Sequence, residues 1–431
     1  MTVDGPLAVS EVIRRAGRRG VLPRGAGRAY GDAALNSGGE VLSVQGGTVR
    51  LDPKSGLLDV AAGMSMGQIL ERVVPAGWML PALPGTRHVT VGGAVAADVH
   101  GKDQRNYGSF GSHLSAIALV DGRGQLRSLG PDSDPDAFWA TVGGMGLTGI
   151  VTHAQLQLSR IETSALRVRT ERFQELEALL AAMDAAAEER YCVAWLDAAG
   201  GRRGASKWAG RGIVEWADHA KPDELPPRRR SAPLAYRTPQ AATVPPLPAN
   251  VLPAWLVRRY NAVRFARTAP QGQRIMGLSA YFHQLDAISD WYRLYGPYGL
   301  RQYHVLIPPS ATPLIRQIIE QLQRQGIPPL LAVLKRHGPS DPAPLTFPGD
   351  GWGLAVDLPA AHPQVEATLC GLDETLAAAG GRVYLAKDST LRSTAFAAMY
   401  PRLGEWRSIR ERLDPDGRLR SDLGRRLGLC A

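Results

Sequence analysis

Arg24-Gly-Ala-Gly-Arg-Ala-Tyr-Gly-Asp32 is the stretch on which the reading of this chain turns. Gly25, Gly27 and Gly31 remove a Cβ at three points of one short segment, so the backbone can turn tightly and bring its N–H groups close to a ligand. Two more clusters follow at intervals of roughly sixty residues, Pro84-Gly-Thr-Arg-His-Val-Thr-Val-Gly-Gly93 and Gly143-Gly-Met-Gly-Leu-Thr-Gly149. Turn-making accounts for any one of them. Three together, with Arg and Thr interleaved, point to a cradle for an elongated phosphate-bearing ligand. Gly144 to Gly149 fits the dinucleotide pattern GxGxxG, but that fingerprint follows a strand and opens a helix. Here Asp134–Thr141 reads as helix and Ile150–Leu158 as strand, which argues against a Rossmann site.

Outward from these clusters the spacing predicts an α+β protein. Val41–Val44, Val49–Leu51 and Leu58–Ala61 read as strands and Met66–Val74 as a short helix. Beyond residue 160 longer helices are expected over Phe173–Arg190, from a Thr312-Pro313 start through Gln325, and over Pro363–Ala379 up to Gly380-Gly381. Strands are expected at Tyr191–Ala198, Arg301–Ile307, Leu330–Lys335, Trp352–Leu358 and Val383–Ala386. Nine of the 32 prolines fall between Lys221 and Pro253 with Arg228-Arg229-Arg230, a composition suited to a long, mobile surface loop.

The 431 residues suffice for two or three domains, and an apolar fraction of 44% with 21% charged excludes wholesale disorder. Cys192, Cys370 and Cys430 form neither a disulfide framework nor a metal knuckle, so no metal is expected and a reducing, cytoplasmic setting is. No apolar run is long enough to span a bilayer, and the first twenty residues lack a secretory h-region. The formal charge of +10 invites a nucleic-acid or anionic-surface reading. Only six of the fifty basic residues are lysines (54, 102, 207, 221, 335 and 387). In such a chain a lysine marks a place where an ammonium able to lose its proton is wanted, which guanidinium is not.

The glycine segments, with His100-Gly-Lys102 and Trp139-Ala-Thr-Val-Gly-Gly-Met-Gly-Leu-Thr-Gly149, resemble the PCMH-type FAD-binding domain of the vanillyl-alcohol-oxidase superfamily, and within it the decaprenylphosphoryl-ribose 2′-oxidase-like branch. The likeness continues through Ala194-Trp195, Tyr295-Gly-Pro297, Gln302-Tyr303, Pro344-Leu-Thr-Phe-Pro348, Ala386-Lys-Asp-Ser389, Met399-Tyr-Pro-Arg402 and Arg412-Leu-Asp-Pro415. It implies a two-part FAD-binding domain, 1–162 completed by a return segment 382–431, with an inserted α+β substrate domain, 163–381, built as an antiparallel sheet flanked by helices. The cofactor-binding set it implies is Arg24, Gly25, Ala26, Gly27, Arg28, Tyr30 and Gly31; Pro84, Gly85, Thr86, Thr90, Gly92 and Gly93; His100 and Gly101; Gly144, Gly149 and Ile150; and Tyr384. Many relatives carry a histidine in the first turn that bonds covalently to flavin. Arg28 stands at that place, so FAD is expected to bind without a covalent link.

Oxidising a secondary alcohol takes a hydride acceptor and a group for the hydroxyl proton. Lys387, read as continuing an apolar strand and so partly desolvated, is the leading base; its position matches the family's essential lysine. His100 and Lys102 flank Gly101 and match pocket residues, and Tyr30 matches a tyrosine near the sugar. Alternation puts Tyr303, Val305 and Ile307 on one sheet face with Gln302 and His304 on the other; Gly353 and Ala355 oppose Leu354 and Val356, and Lys335 shares a face with Val333. The resemblance turns that small, polar face into the roof of a sugar pocket, with Lys102, Gln302, His304, Lys335, Ala355, Trp195 and Phe282 as substrate-binding residues. Four positions depart from the family. Ala355 replaces a reactive cysteine, Gly353 an asparagine, His304 a glutamine and His337 an aromatic residue, and the chain begins short of a leading tryptophan-containing segment.

The resulting expectation is FAD-dependent oxidation of a sugar alcohol, the 2-hydroxyl of a polyprenyl-phosphate-linked or nucleotide-linked pentose with the first carrier preferred, paired, as the resemblance implies, with an NAD(P)-dependent short-chain reductase that completes an epimerisation. An oxygen-using alditol or aldonolactone oxidase is the alternative, weakened by the absence of that group's C-terminal His-Trp-Gly-Lys signature. A non-catalytic basic binding protein is the third, and no nucleic-acid partner is expected. Trp255-Leu-Val-Arg-Arg-Tyr-Asn-Ala-Val-Arg-Phe-Ala-Arg267 suits either a helix with a solvated face or peripheral contact with an anionic inner membrane face.

Overall fold

A computed structural model describes residues 1–199 and 210–430. Among these residues three sheets carry the architecture. A small parallel sheet has Glu40–Val44 between Thr2–Val3 and Val21–Pro23. An antiparallel five-stranded sheet runs Val49–Leu51, Leu57–Ala61, Gly149–Gln157, Leu114–Asp121, Leu126–Leu129. The third, antiparallel throughout, has eight strands in the order Gln271–Gly277, Ala165–Phe173, Gly212–His219, Tyr191–Leu196, Leu331–His337, Gly351–Pro359, Leu300–Ile307, Arg382–Val383. The first two sheets use chain up to residue 157; the third uses 165 to 383.

Each face of the large sheet has its own use, and side-chain alternation assigns them. Tyr303, Val305, Leu354 and Val356 are buried on the face covered by the helices Leu314–Arg324 and Val365–Ala378. The first helix presents Ile315, Ile318, Ile319 and Leu322 at helical spacing, the second Val365, Leu369, Leu372 and Leu376, all buried. The Tyr303 hydroxyl donates to Asp373 of the second helix at 3.0 Å, which fixes that side of the strand. The register pairs Gln302 with Asp357, His304 with Ala355 and Val333 with Ala355, and Lys335 with Gly353. The opposite face therefore carries Gln302, His304, Asp357, Ala355, Gly353, Lys335 and His337, as the alternation predicted for those it considered.

Glycine governs how the N-terminal turns meet the rest. A Cβ at Gly25 would lie 2.1 Å from Thr90 Oγ1, and one at Gly146 would lie 2.8 Å from Pro23, where φ is +75° besides. At Gly31 a Cβ would lie 1.6 Å from the carbonyl oxygen of Asp388. The backbone joins there as well, the Tyr30 N–H donating to Ala386 O at 3.0 Å. Arg426 of the C-terminal helix Asp422–Leu427 clamps the approach, pairing with both Asp32 oxygens at 2.7 and 2.8 Å and with Asp388 at 2.8 Å.

Several expected elements come out shorter, for local reasons. Phe173 belongs to a strand, paired with Gly212, and the helix is confined to Leu176–Ala185. The Thr312 hydroxyl donates to Pro309 O at 2.8 Å instead of capping N–H groups, so the helix opens at Leu314. Tyr191–Ala198 stops at Leu196. The strand expected over Val383–Ala386 is only Arg382–Val383, because Lys387 and Asp388 N–H turn back onto the Tyr384 carbonyl. Lys387 thus stands on a turn rather than a strand. The proline-rich segment is largely irregular, with one helical turn at Pro227–Arg230 and a two-residue strand, Ala242–Thr243, paired with Ile288–Ser289. Lys207 falls outside the described residues. The three cysteines are free thiols, and among the described residues no helix is long and apolar enough to cross a membrane.

Gly31→Ala forces the Asp388 carbonyl to move and should cost about 3 kcal/mol or more, beyond the usual overpacking penalty. Thermal unfolding checks this; a melting temperature within a degree or so of wild type would show that the two turns do not depend on the contact.

Candidate active site

Three of the six lysines converge. Lys102 comes from the segment after the His100 bridge to Ser109, Lys335 from the strand Leu331–His337, and Lys387 from the turn clamped by Arg426. All three are half-buried. The Lys387 Nζ lies 3.6 Å from the centre of the Tyr30 ring. The Lys102 Nζ donates to the Tyr281 carbonyl at 2.7 Å and stands 3.7 Å from the Tyr281 ring and 5.8 Å from Phe282. Lys335 lies near enough for its charge to be felt at Lys102, Lys387, His100, His304 and His337.

Removal from water penalises an ammonium, and like charges add to the penalty. Burial lowers Lys387 to about 7, with Lys335 pushing the same way and Asp357 opposing. Lys102 is lowered to about 7 by burial, opposed by Glu215. Lys335 is lowered to about 8, again by burial, against the attraction of Asp103. The scarcity of lysine in the sequence was therefore a usable signal, although Lys54 and Lys221 lie elsewhere.

Behind the lysines is a cluster of buried imidazoles. The His100 ring centre is 5.1 Å from His304, 5.0 Å from His337, 5.3 Å from Phe347 and 5.1 Å from Tyr384. Burial depresses all three histidines, with the Lys335 charge next; His337 falls to about 3. They are neutral imidazoles at pH 7. His100 Nδ1, His304 Nδ1 and both His337 nitrogens are buried with no partner among the described residues. A Cβ at Gly353 would lie 2.6 Å from His337 Nε2. The two departures are thus coupled in space, His337 occupying the volume a side chain at 353 would need.

Asp357 was missed in the sequence. It continues the Gly353, Ala355 alternation by one step, and reading the strand two residues further would have found it. Its Oδ1 accepts from Gln302 Nε2 at 2.6 Å while Oδ2 is buried without a partner. Burial raises it to about 6, and Lys387 holds it down. His283, buried with both nitrogens unpartnered, was missed as well.

The remaining candidates divide. Tyr384 is buried, its hydroxyl donating to Ala97 O at 2.9 Å, and Phe282 packs 5.0 Å from Tyr191 beside Lys102. Trp195 shares the sheet face but lies under the helix Ala254–Arg267, with Ile213 and Phe265 and 4.7 Å from the Arg264 guanidinium. Gly144, Gly149 and Ile150 are buried; Cβ atoms at the two glycines would strike Ala140 O at 2.2 Å and Leu119 at 2.5 Å. Ile150 packs its side chain with Val9, Val12 and Val21. All three positions are closely packed against the protein on their side-chain side. The N–H of Gly92 is taken by Ala62 O and that of Gly93 by Thr90 Oγ1, and a Cβ at Gly101 would meet Asp103 at 2.3 Å.

The first turn does fit a phosphate-bearing cofactor. Arg24 to Arg28 are exposed, Gly27 has φ +62°, and no described residue accepts from the N–H groups of 25–29. A Cβ at Gly85 would meet nothing within 4 Å, so a side chain there would stand in the open cradle. Pro84, Thr86 and Thr90 frame it, Thr90 capping the helix Val91–Ala96.

These features define a cofactor-binding turn beside a cluster of titratable side chains, and comparison with known proteins gives the class and the cofactor. The FAD binding domain family matches residues 2–130, and the D-arabinono-1,4-lactone oxidase family matches residues 359–427. Over 442 aligned residues the chain is 37% identical to the decaprenylphosphoryl-beta-D-ribose oxidase of Mycolicibacterium smegmatis, covering 99% of this chain and 94% of that one. It is 38% identical over 377 residues to an uncharacterized Streptomyces coelicolor protein, covering 85% of this chain and 100% of that one. The chain belongs to the decaprenylphosphoryl-ribose oxidase-like FAD-binding flavoenzymes and is an FAD-dependent oxidoreductase.

Lys335 has a folded pKa below its unfolded value, so between about pH 8 and 10 the unfolded chain holds the extra proton and stability gains with pH from this group. Lys335→Met should flatten the stability–pH slope there by about 1 kcal/mol per pH unit. Urea unfolding of flavin-free protein at pH 8.5 and 9.5 measures it; identical slopes would mean Lys335 is solvated.

Proposed function

We propose that the enzyme oxidises a secondary hydroxyl of a sugar, the 2-hydroxyl of a pentose carried on a polyprenyl phosphate, to the ketone. The observation that carries the reading is the Lys387 amine, desolvated to about 7 and held 3.6 Å from the Tyr30 ring. When bound, FAD supplies the acceptor for the carbinol hydride at N5. Arg24, Gly25, Ala26, Gly27, Arg28, Pro84, Gly85 and Thr86 would hold the cofactor, and with Arg28 in the first turn the link is non-covalent. Neutral Lys387 takes the hydroxyl proton, and Asp357 stabilises the ammonium that forms. Neutral His100 and His304 are left to hydrogen-bond the sugar and to keep water out. Lys102 and Lys335 supply positive charge for a phosphate, which fits the carrier named in the Mycolicibacterium relative. Residues 1–162 with 382–431 serve the cofactor and 163–381 the sugar, the chain crossing between them at the edge strand Arg382–Val383. A short-chain NAD(P)-dependent reductase would then complete an epimerisation.

The match of 359–427 to aldonolactone oxidases supports a second reading, oxidation of a free alditol or aldonolactone with oxygen. The missing His-Trp-Gly-Lys signature weighs against it.

Anaerobic bleaching of the flavin against polyprenyl-phosphate pentoses, alditols and aldonolactones separates the two; bleaching by the free compounds alone would favour the second. Lys387→Ala should slow bleaching by 10²-fold or more, on the scale of a general base, and parental rates would remove it from that role. In the wild type the rate should rise with pH through about 7 as Lys387 loses its proton. Lys335→Met, which deletes a charge that disfavours that proton, should move the rise to higher pH.

A further inference from the structure

Among the described residues, nine of the fourteen exposed large hydrophobic side chains fall in one segment, Val251, Trp255, Leu256, Tyr260, Val263, Leu285, Ile288, Tyr292 and Tyr298. The same region is strongly cationic. From Lys221 to Tyr298 the sequence has eleven Lys and Arg against four Asp and Glu, a net +7 out of +10 for the whole protein. Its centre is the helix Ala254–Arg267, whose buried residues Val257, Asn261 and Phe265 recur every fourth position. Asn261 Nδ2 donates to Asp197 at 2.8 Å and Phe265 packs with Trp195 and Ile213, which pins that stripe inward. At 3.6 residues per turn, Trp255, Leu256, Tyr260 and Val263 project from the opposite side, with Arg259 and Arg267 among them. Arg258, Arg259 and Arg267 form no ion pair with any described residue. The helix is thus apolar on two sides, and only one is covered.

Neighbouring pieces are tied to it. Val251 N–H donates to Leu294 O at 3.0 Å, and Val257 shares a cluster with Tyr295 and Leu330. The segment borders the lysine cluster at two places, through Tyr281 and Phe282 beside Lys102 and through Tyr295, which feels the charge of Asp357.

We propose that this face rests on an anionic bilayer surface, the outward Trp, Tyr, Leu and Val side chains entering the headgroup boundary and the unpaired arginines meeting lipid phosphates. Charge complementarity selects an anionic occupant. The aliphatic members select lipid over nucleic acid, because bases stack on aromatic rings and gain little from Leu256, Val263 or Val251. Seated in this way, the segment that borders the lysine cluster lies at the membrane, so a sugar held by a lipid phosphate is brought near Lys387. The proposal stands on this surface alone and does not need the identity of the sugar.

Flotation of the flavin-loaded full-length enzyme with phosphatidylcholine vesicles, with and without phosphatidylglycerol, tests it. Binding is expected only to the anionic vesicles and should weaken with salt. The triple variant Arg258→Glu/Arg259→Glu/Arg267→Glu should lose at least about tenfold in partitioning, and Trp255→Ser/Tyr260→Ser should also weaken it. A control with the same charge change elsewhere, Arg18→Glu/Arg72→Glu/Arg123→Glu, should stay close to wild type. All variants should keep their flavin spectrum. No flotation, equal losses in the two triple variants, an unchanged Trp255→Ser/Tyr260→Ser variant, or stronger retention on polyuridylate than on vesicles would each overturn the proposal.

Discussion

The carbonyl of Asp388 occupies the space where residue 31 would carry a Cβ, and the site is organised by that approach. It brings a glycine turn near the start of the chain against a turn near its end, with Arg426 bridging Asp32 and Asp388. Two consequences follow at once. The Tyr30 ring comes over Lys387, and the cofactor turn and the candidate base become parts of one rigid contact. The amine is then shielded by an aromatic face and feels the charge of Asp357.

Clustering lysines in such a recess is expensive, since each charge is desolvated and repelled by its neighbours. Asp357 and Glu215 compensate only in part. The protein's answer is proton loss: the lysines drop toward neutrality and the imidazoles stay uncharged. A site meant only for stability would be better filled with apolar side chains. The proposed removal of an alcohol proton and binding of an anion would need amines that can be neutral or charged at little cost. The surface beside it, from Lys221 to Tyr298, continues the positive charge outward with a net +7.

Much of this was legible beforehand. Helical and strand periodicities located the main elements, and the reversed context of Gly144 to Gly149 rightly excluded a Rossmann turn. What misled was local optimism. A run such as Val383-Tyr-Leu-Ala386 has every strand propensity, yet two N–H groups folding back on Tyr384 convert it to a turn, and Lys387 is buried by Tyr30 rather than by a ladder. At Gly144 and Gly149 a packing demand, from Ala140 and Leu119, joins the reading of the sequence, because only the folded chain reveals what stands opposite a missing Cβ.

The sequence alone determined the periodic faces, the turns that need glycine, the scarcity of lysine and the likeness to FAD-binding flavoenzymes, all of them properties of neighbouring residues or of composition. Only the tertiary structure decided that Lys102, Lys335 and Lys387 come within reach of one another's charge, that His337 fills the space left by Gly353, and that Asp357 is felt at Lys387. Those relations depend on strand register and on contacts between distant segments, whose energies arise after the chain has closed its long loops.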